Sequence, residues 1–155
     1  MGLYFEDYRI GDRYISPTRT ITETDVVNFA AMSGDMNELH TSESYARGTP
    51  FKERVVHGLL GLSICHGLMF RLGLMEGTGI AFLGLENWRF EAPIFIGDTI
   101  HTELEVLEAT PSTGKKDRGK IRFKVRLVNT AGVVTQSGVK KILVKSKAGC
   151  RNDDP

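Results

Sequence analysis

Only two of the 155 residues are cysteine, Cys65 inside an apolar run and Cys150 in the polar tail. Two thiols so placed exclude a disulfide-stapled scaffold and suit a reducing compartment. A charge excess is also missing, since 20 basic against 19 acidic residues leave +1. That net charge gives no field to gather nucleic acid or an anionic membrane, so an anionic ligand has to be bound locally. No apolar run reaches the ~20 residues that cross a bilayer. The longest, Leu59 to Leu74, is interrupted by Ser63, His66 and Arg71. The opening MGLYFEDYRIGD has no basic segment leading into an apolar one, so a secretory signal is not expected, and Glu6 spoils a myristoylation match. Internal repeats, low-complexity stretches and linkers are absent too. The expectation is one soluble, cytoplasmic domain over residues 1–155, with an ordered core from about 5 to 145 and a polar tail over 146–155.

What is present is ordinary globular material: 41% hydrophobic and 25% charged residues, which argues for a packed core over disorder. Arg13 to Ile21 reads as a short strand broken by Pro17, hence an edge or bulged one. Thr22 or Thr24 can cap a helix with an acidic first turn, Glu23 and Asp25, and Gly34 can stop it. SESYARG suits a short helical turn before Pro50. The run His57 to Gly77 is apolar nearly all round, the mark of a helix buried on most sides, and its glycines permit close backbone approach. Strand patterns follow over Ile80–Phe90, Thr99–Ala109, Lys120–Asn129 and Val133–Val144, with a hairpin turn at NTAG and a longer loop over Thr110–Gly119. One helix and several consecutive strands predict an α+β domain in which an antiparallel sheet curls around a long central helix.

Between these elements lies SGDMNELH, Ser33 to His40. On a regular helix Asp35 and His40 would stand roughly 140° apart, and on a strand they would face opposite sides. They converge only if the chain bends. Two readings stand: a surface loop rich in turn-forming Asp and Asn, or a loop that aims two proton-handling groups at one point.

SGDMNELHTSESYA, then FKERVVHGLL, then FEAPIFIGDTI resemble the (R)-specific enoyl-CoA hydratases of the MaoC-like dehydratases, which have the hotdog fold. The resemblance runs from about Phe5 to Val144. It departs at Glu38, where the family usually has Pro, and near His66, where some members carry Ser. It implies reversible syn addition of water to a trans-2-enoyl thioester, with Asp35 and His40 holding the water. Burial beside the acyl chain should then raise the Asp35 pKa. The Gly58 N–H, at the start of the central helix, becomes the donor to the thioester oxygen. Around them, Asn37 reads as an organiser of the loop, His57 as a support for the turn before the helix, and Ser63 as a substrate contact or a bond back to its own helix. His66 adds a titratable group to the same substrate-binding set. Trp88 and Phe90 read as core.

Lys115, Lys116 and Arg118, with Lys120, form a basic stretch that either meets the phosphates of coenzyme A or is a solvated hairpin tip, the commoner case. Asp35, His40, His57 and His66 also make a His/carboxylate set, but without close ligand spacing, and the EF-hand pattern fails at His40. Neither a metal nor a cofactor is expected; coenzyme A enters as part of the acyl-CoA substrate. The competing functions are a hotdog acyl-CoA thioesterase and a non-catalytic acyl-CoA-binding module. A sheet wrapped on one helix leaves open edges, so a homodimer is the expected assembly.

Overall fold

The computed structural model describes residues 1–149, so Cys150 and the rest of the tail lie outside the described residues. A 3-10 turn (Phe5–Asp7) leads to two short strands, β1 (Arg13–Ile15) and β2 (Arg19–Thr20), separated around Pro17. Both pair with the same edge of a later strand, as a Pro-interrupted edge segment should. α1 (Glu23–Ser33) opens with a reciprocal cap in which Asp25 N–H donates to the Thr22 hydroxyl and Thr22 N–H to the Asp25 carboxylate. It stops at Gly34, in the left-handed region at φ 78°, whose N–H donates to the Ala30 carbonyl. Two short helices follow, α2 (Glu38–Thr41) and α3 (Glu43–Arg47), and then α4 (Gly58–Phe70).

The rest is sheet: β3 (Gly79–Phe90), β4 (Thr99–Pro111), β5 (Arg118–Asn129) and β6 (Val134–Lys145), antiparallel in the order β1-β4-β5-β6-β3, with β2 beside β1 on β4. Burial alternates along β4 and β5, so Ile100, Leu104, Val106, Ile121, Phe123 and Val125 face inward against Leu60, Ile64, Cys65 and Leu68 of α4. The β5–β6 hairpin turns where expected, with the Asn129 carboxamide oxygen accepting from the N–H groups of Ala131 and Val133. The loop expected over Thr110–Gly119 is shorter, because Thr110 pairs with Lys120 and Pro111 with Gly119.

Two expectations about the central helix are corrected. It ends at Phe70, well before Gly77, because Gly73 at φ 71° turns the chain and the amino-terminal segment takes the next carbonyls. Leu3 N–H and the Tyr8 hydroxyl donate to Leu74 O, and Gly2 N–H donates to Glu76 O. Nor is the helix buried on most sides in the single chain: Leu59, Ser63, His66, Gly67 and Phe70 form an exposed stripe. Beside that stripe runs β3, an edge strand whose Phe82, Leu83 and Phe90 are also exposed.

Candidate active site

The bend after α1 carries the residues in question. Gly34 reverses the chain, Ser33 Oγ accepts from Asp35 N–H, and Asn37 caps α2 by accepting from Leu39 N–H at 2.9 Å. His40 therefore sits on a short helix, where the sequence suggested loop throughout. Its ring is fixed by one hydrogen bond, Nδ1 to the Val55 carbonyl at 2.7 Å. A carbonyl only accepts, so the proton of neutral His40 is on Nδ1 and Nε2 carries a free lone pair. Val55 is itself held from both sides, its N–H donating to Leu39 O and its backbone forming an isolated antiparallel bridge to Phe95.

His57 is buried (1% exposed) directly before α4. Its Nε2 donates to the Asp35 backbone carbonyl at 3.0 Å, and its ring stacks on His40 with centroids 3.8 Å apart and planes 29° from parallel. Burial pushes its pKa below the ordinary imidazole value, with the bond to the Asp35 carbonyl opposing. A neutral ring is what the stack requires, since two imidazolium rings in contact would repel. His57 ties the Asp35 loop to the helix start and backs the His40 ring.

One side-chain atom each from Asp35, His40 and His57 lies within 4.8 Å of the others. For Asp35 and His40 this is inside the roughly 5.6 Å that one water can span with a hydrogen bond of about 2.8 Å on each side. As a metal site the trio is poorly shaped. Lone pairs lie in the ring planes, and planes stacked this way meet only far beyond the ~2.1 Å that a histidine ligand needs. Among the described residues, the His57 nitrogen left over, Nδ1, is also buried without a partner.

A cleft of about 400 Å³ opens beside His40, lined by Val56, Gly58, Phe90, Ile94 and Gln136 among others. Gly58 begins α4, where no side chain caps the first turn and the first N–H groups have no partner within the helix. Gln136 Nε2 donates to the Gly58 carbonyl at 2.9 Å, and a Cβ built on Gly58 would lie 2.8 Å from the Phe90 ring. Phe90 is 56% exposed and lines the cleft, so it is not the core residue the sequence suggested. Trp88 does pack on the core, with Nε1 donating to Gln136 Oε1. Asp35 is exposed, so the burial expected around its carboxyl is not supplied by this chain.

Other candidates fall elsewhere. Ser63 Oγ donates to the Leu59 carbonyl at 2.8 Å, bonding back within α4, and lines a separate groove with Phe29 and Arg71. His66 is two turns beyond Gly58, its ring 5.7 Å from that of Phe82. Lys115, Lys116 and Arg118 lie at the opposite end of the sheet from the cleft. Arg118 pairs with Lys145 there, whereas Gln136 pairs with Phe90 at the cleft end, and the Arg118 guanidinium is engaged by Asp117. Val55, Phe90 and Gln136 carried no local sequence signal; each acts through a neighbour distant along the chain. Arg54, ion-paired to Glu23 and Glu43, likewise ties α1 and α3 to the segment holding Val55.

Comparison with known proteins agrees with this architecture. Residues 7–130 match the MaoC like domain family. The protein MaoC of Klebsiella aerogenes is 44% identical over 101 residues, 65% of this chain but 30% of that protein. The (R)-specific enoyl-CoA hydratase of Rhodospirillum rubrum is 30% identical over 93% of both chains. Among solved structures, R-hydratase PhaJ1 from Pseudomonas aeruginosa superposes with a TM-score of 0.79 at 33% identity, over 94% of this chain and 88% of that one. A Mycobacterium tuberculosis protein with a double hotdog fold superposes with a TM-score of 0.78 at 19% identity, covering 99% of this chain and 46% of that one. With its sheet curled about α4 and a match across most of its length, the chain belongs to the MaoC-like dehydratase family and has the hotdog fold.

Proposed function

We propose that the protein is an (R)-specific enoyl-CoA hydratase, equally a 3-hydroxyacyl-CoA dehydratase in reverse. The observation that carries this reading is the convergence of the Asp35 carboxylate and His40, whose tautomer is set by Val55, beside a cleft floored by Gly58. The carboxylate accepts, and so does His40 Nε2, so a water between them donates both hydrogens and keeps an oxygen lone pair for substrate.

That lone pair attacks C3 of the enoyl thioester. The new C3–O bond forms as the C2=C3 π bond breaks, and the displaced electron pair moves onto the thioester oxygen. The Gly58 N–H, at the positive end of α4, donates to that oxygen. One water proton passes to the Asp35–His40 pair and is delivered to C2 as the carbonyl re-forms. Both additions come from the face where the pair stands, which gives syn addition. The hydratase named among the relatives supports this reaction class.

Incubation with crotonyl-CoA tests the reading. The expected result is loss of enoyl absorbance without free thiol and an (R)-3-hydroxy product. Release of free thiol would instead mark a thioesterase, and no change would mark a non-catalytic acyl-CoA-binding module.

A further inference from the structure

Lys140 lies on the inner face of β6 with only 1% of its surface exposed. It shares that face with Gln136, Ile142 and Val144, and its register partner on β5, Phe123, is fully buried. Taking an ammonium out of water is strongly unfavourable unless an anion or a set of acceptors replaces the hydration shell. Among the described residues no carboxylate lies within ion-pair distance of Lys140, and no acceptor takes a hydrogen bond from it. The Phe82 ring lies 5.1 Å from its Nζ and 5.7 Å from the ring of His66, a second base on the exposed side of α4, and the buried Cys65 thiol is close enough to feel its charge. Burial raises the thiol pKa, so Cys65 stays neutral and supplies no counter-charge. Two bases, one aromatic ring and no acid make a place suited to an anion.

Its position relates it to the cleft. Gln136, which holds the Gly58 carbonyl, is four residues before Lys140 on the same strand face, a span of roughly 13 Å. Along α4, Gly58 to His66 covers eight residues, or about 12 Å. The two rulers agree, so Lys140 and His66 mark the far end of the α4–β6 seam that starts at the cleft. Aromatic side chains of β3 line the seam: Phe90 against Gly58, Trp88 against Gly138, and Phe82 beside His66 and Lys140. The cleft itself ends at Gly58 and Gln136; an acyl chain continued from there along the seam would meet apolar surface first and basic groups last.

We infer that Lys140, with His66, recognises a carboxylate at the distal end of the acyl group, so that the substrate class is a carboxylated enoyl thioester. This rests on the hydratase reading above. Lys140 is then a specificity determinant; it stands away from the reacting atoms and takes no part in the proton transfers.

The experiment uses a series of trans-2-enoyl-CoA thioesters of increasing chain length, each made with a methyl and with a carboxylate terminus. At one or more lengths the wild-type protein should prefer the carboxylate form by roughly tenfold or more in kcat/KM, the strength of one charge-assisted hydrogen bond. Lys140→Met, which keeps an apolar side chain of similar length, should abolish that preference and leave hydration of the methyl series within a few-fold of wild type. Wild-type hydration of the methyl series with no preference at any length would overturn the inference and leave the hydratase reading intact. A preference that survives in K140M would overturn it as well. Calorimetric binding of the saturated carboxylate and methyl acyl-CoAs gives a readout independent of turnover. Tighter carboxylate binding that disappears in K140M supports the site even if hydration fails, and equal binding of the two forms refutes it.

Discussion

With its Nδ1–H committed to the Val55 carbonyl, His40 has only Nε2 left for the water that the proposed mechanism places between it and Asp35. Either residue alone leaves the water oriented by one acceptor, so each single loss should be nearly as severe as the pair. Asp35→Asn and His40→Ala are each expected to lower kcat on crotonyl-CoA by roughly 10²–10⁴-fold with little change in melting temperature. The double variant should be little worse than either single one, as for residues acting as a unit. Near-normal turnover in Asp35→Asn would remove Asp35 from the mechanism. At the same scale, Lys140 carries a stability penalty that can be measured without substrate. Burial pushes its pKa down from 10.5 to about 8. Between those values the unfolded chain binds the extra proton, so the penalty is complete below about 8 and gone by 10.5. A difference of this size corresponds to roughly 3 kcal/mol as an upper figure. Lys140→Met should therefore melt several degrees higher than wild type at neutral pH, and the gap should close as pH rises toward 10. Equal melting at neutral pH would show that the ammonium already has a compensating partner.

Elements were legible in the sequence wherever local chemistry specifies them. The Thr22/Asp25 cap and the Gly34 stop frame α1, and period-two burial marks β4 and β5. The polar cluster after α1 was legible for the same reason, because Gly34 announces the bend that brings Asp35 and His40 together. The missed features depend on partners far along the chain. α2 is too short to show a helical period and is held by Asn37. The end of α4 depends on the amino-terminal segment, which takes the carbonyls of Leu74 and Glu76. The cleft depends on Phe90 and Gln136 arriving from β3 and β6. Gly58 shows how local and distant causes combine, since it opens a helix that no side chain caps and also leaves room for the Phe90 ring. Gly58→Val should reduce kcat far more than stability, because an exposed ring at the end of an edge strand can swing aside. The additional change Phe90→Ala separates the two causes. Restored activity would mean that the displaced ring blocked the cleft, whereas continued loss would mean that the valine itself crowds the thioester oxygen.

At the scale of the whole molecule, the two sheet edges are unlike. The β1/β2 edge is made of two very short strands broken at Pro17 and carrying Arg13 and Arg19, the usual protections of a free edge. The other edge, β3, has twelve residues, and its Phe82 and Leu83 are 51% and 44% exposed. Next to it the exposed stripe of α4 begins at Leu59 (61%) and ends at Phe70 (59%), on a helix whose composition calls for burial. Strand and helix thus expose large apolar side chains together, joined where the His66 ring meets Phe82, on the side of the molecule that holds the cleft. A second copy related by a two-fold axis along β3 would cover this surface with its own equivalent and extend the sheet. It would also shield the cleft, where Phe90 is exposed in the single chain, from bulk water. The proposed chemistry needs that shielding, because charge building on the thioester oxygen is stabilised best where water is excluded. The expected outcome is a homodimer in sedimentation at working concentration, with activity that depends on it. Leu83→Lys, placing a charge in the middle of β3, should yield a folded monomer that has lost most of its turnover while Asp35 and His40 remain untouched. A fully active monomer, wild type or variant, would show that one chain completes the site by itself.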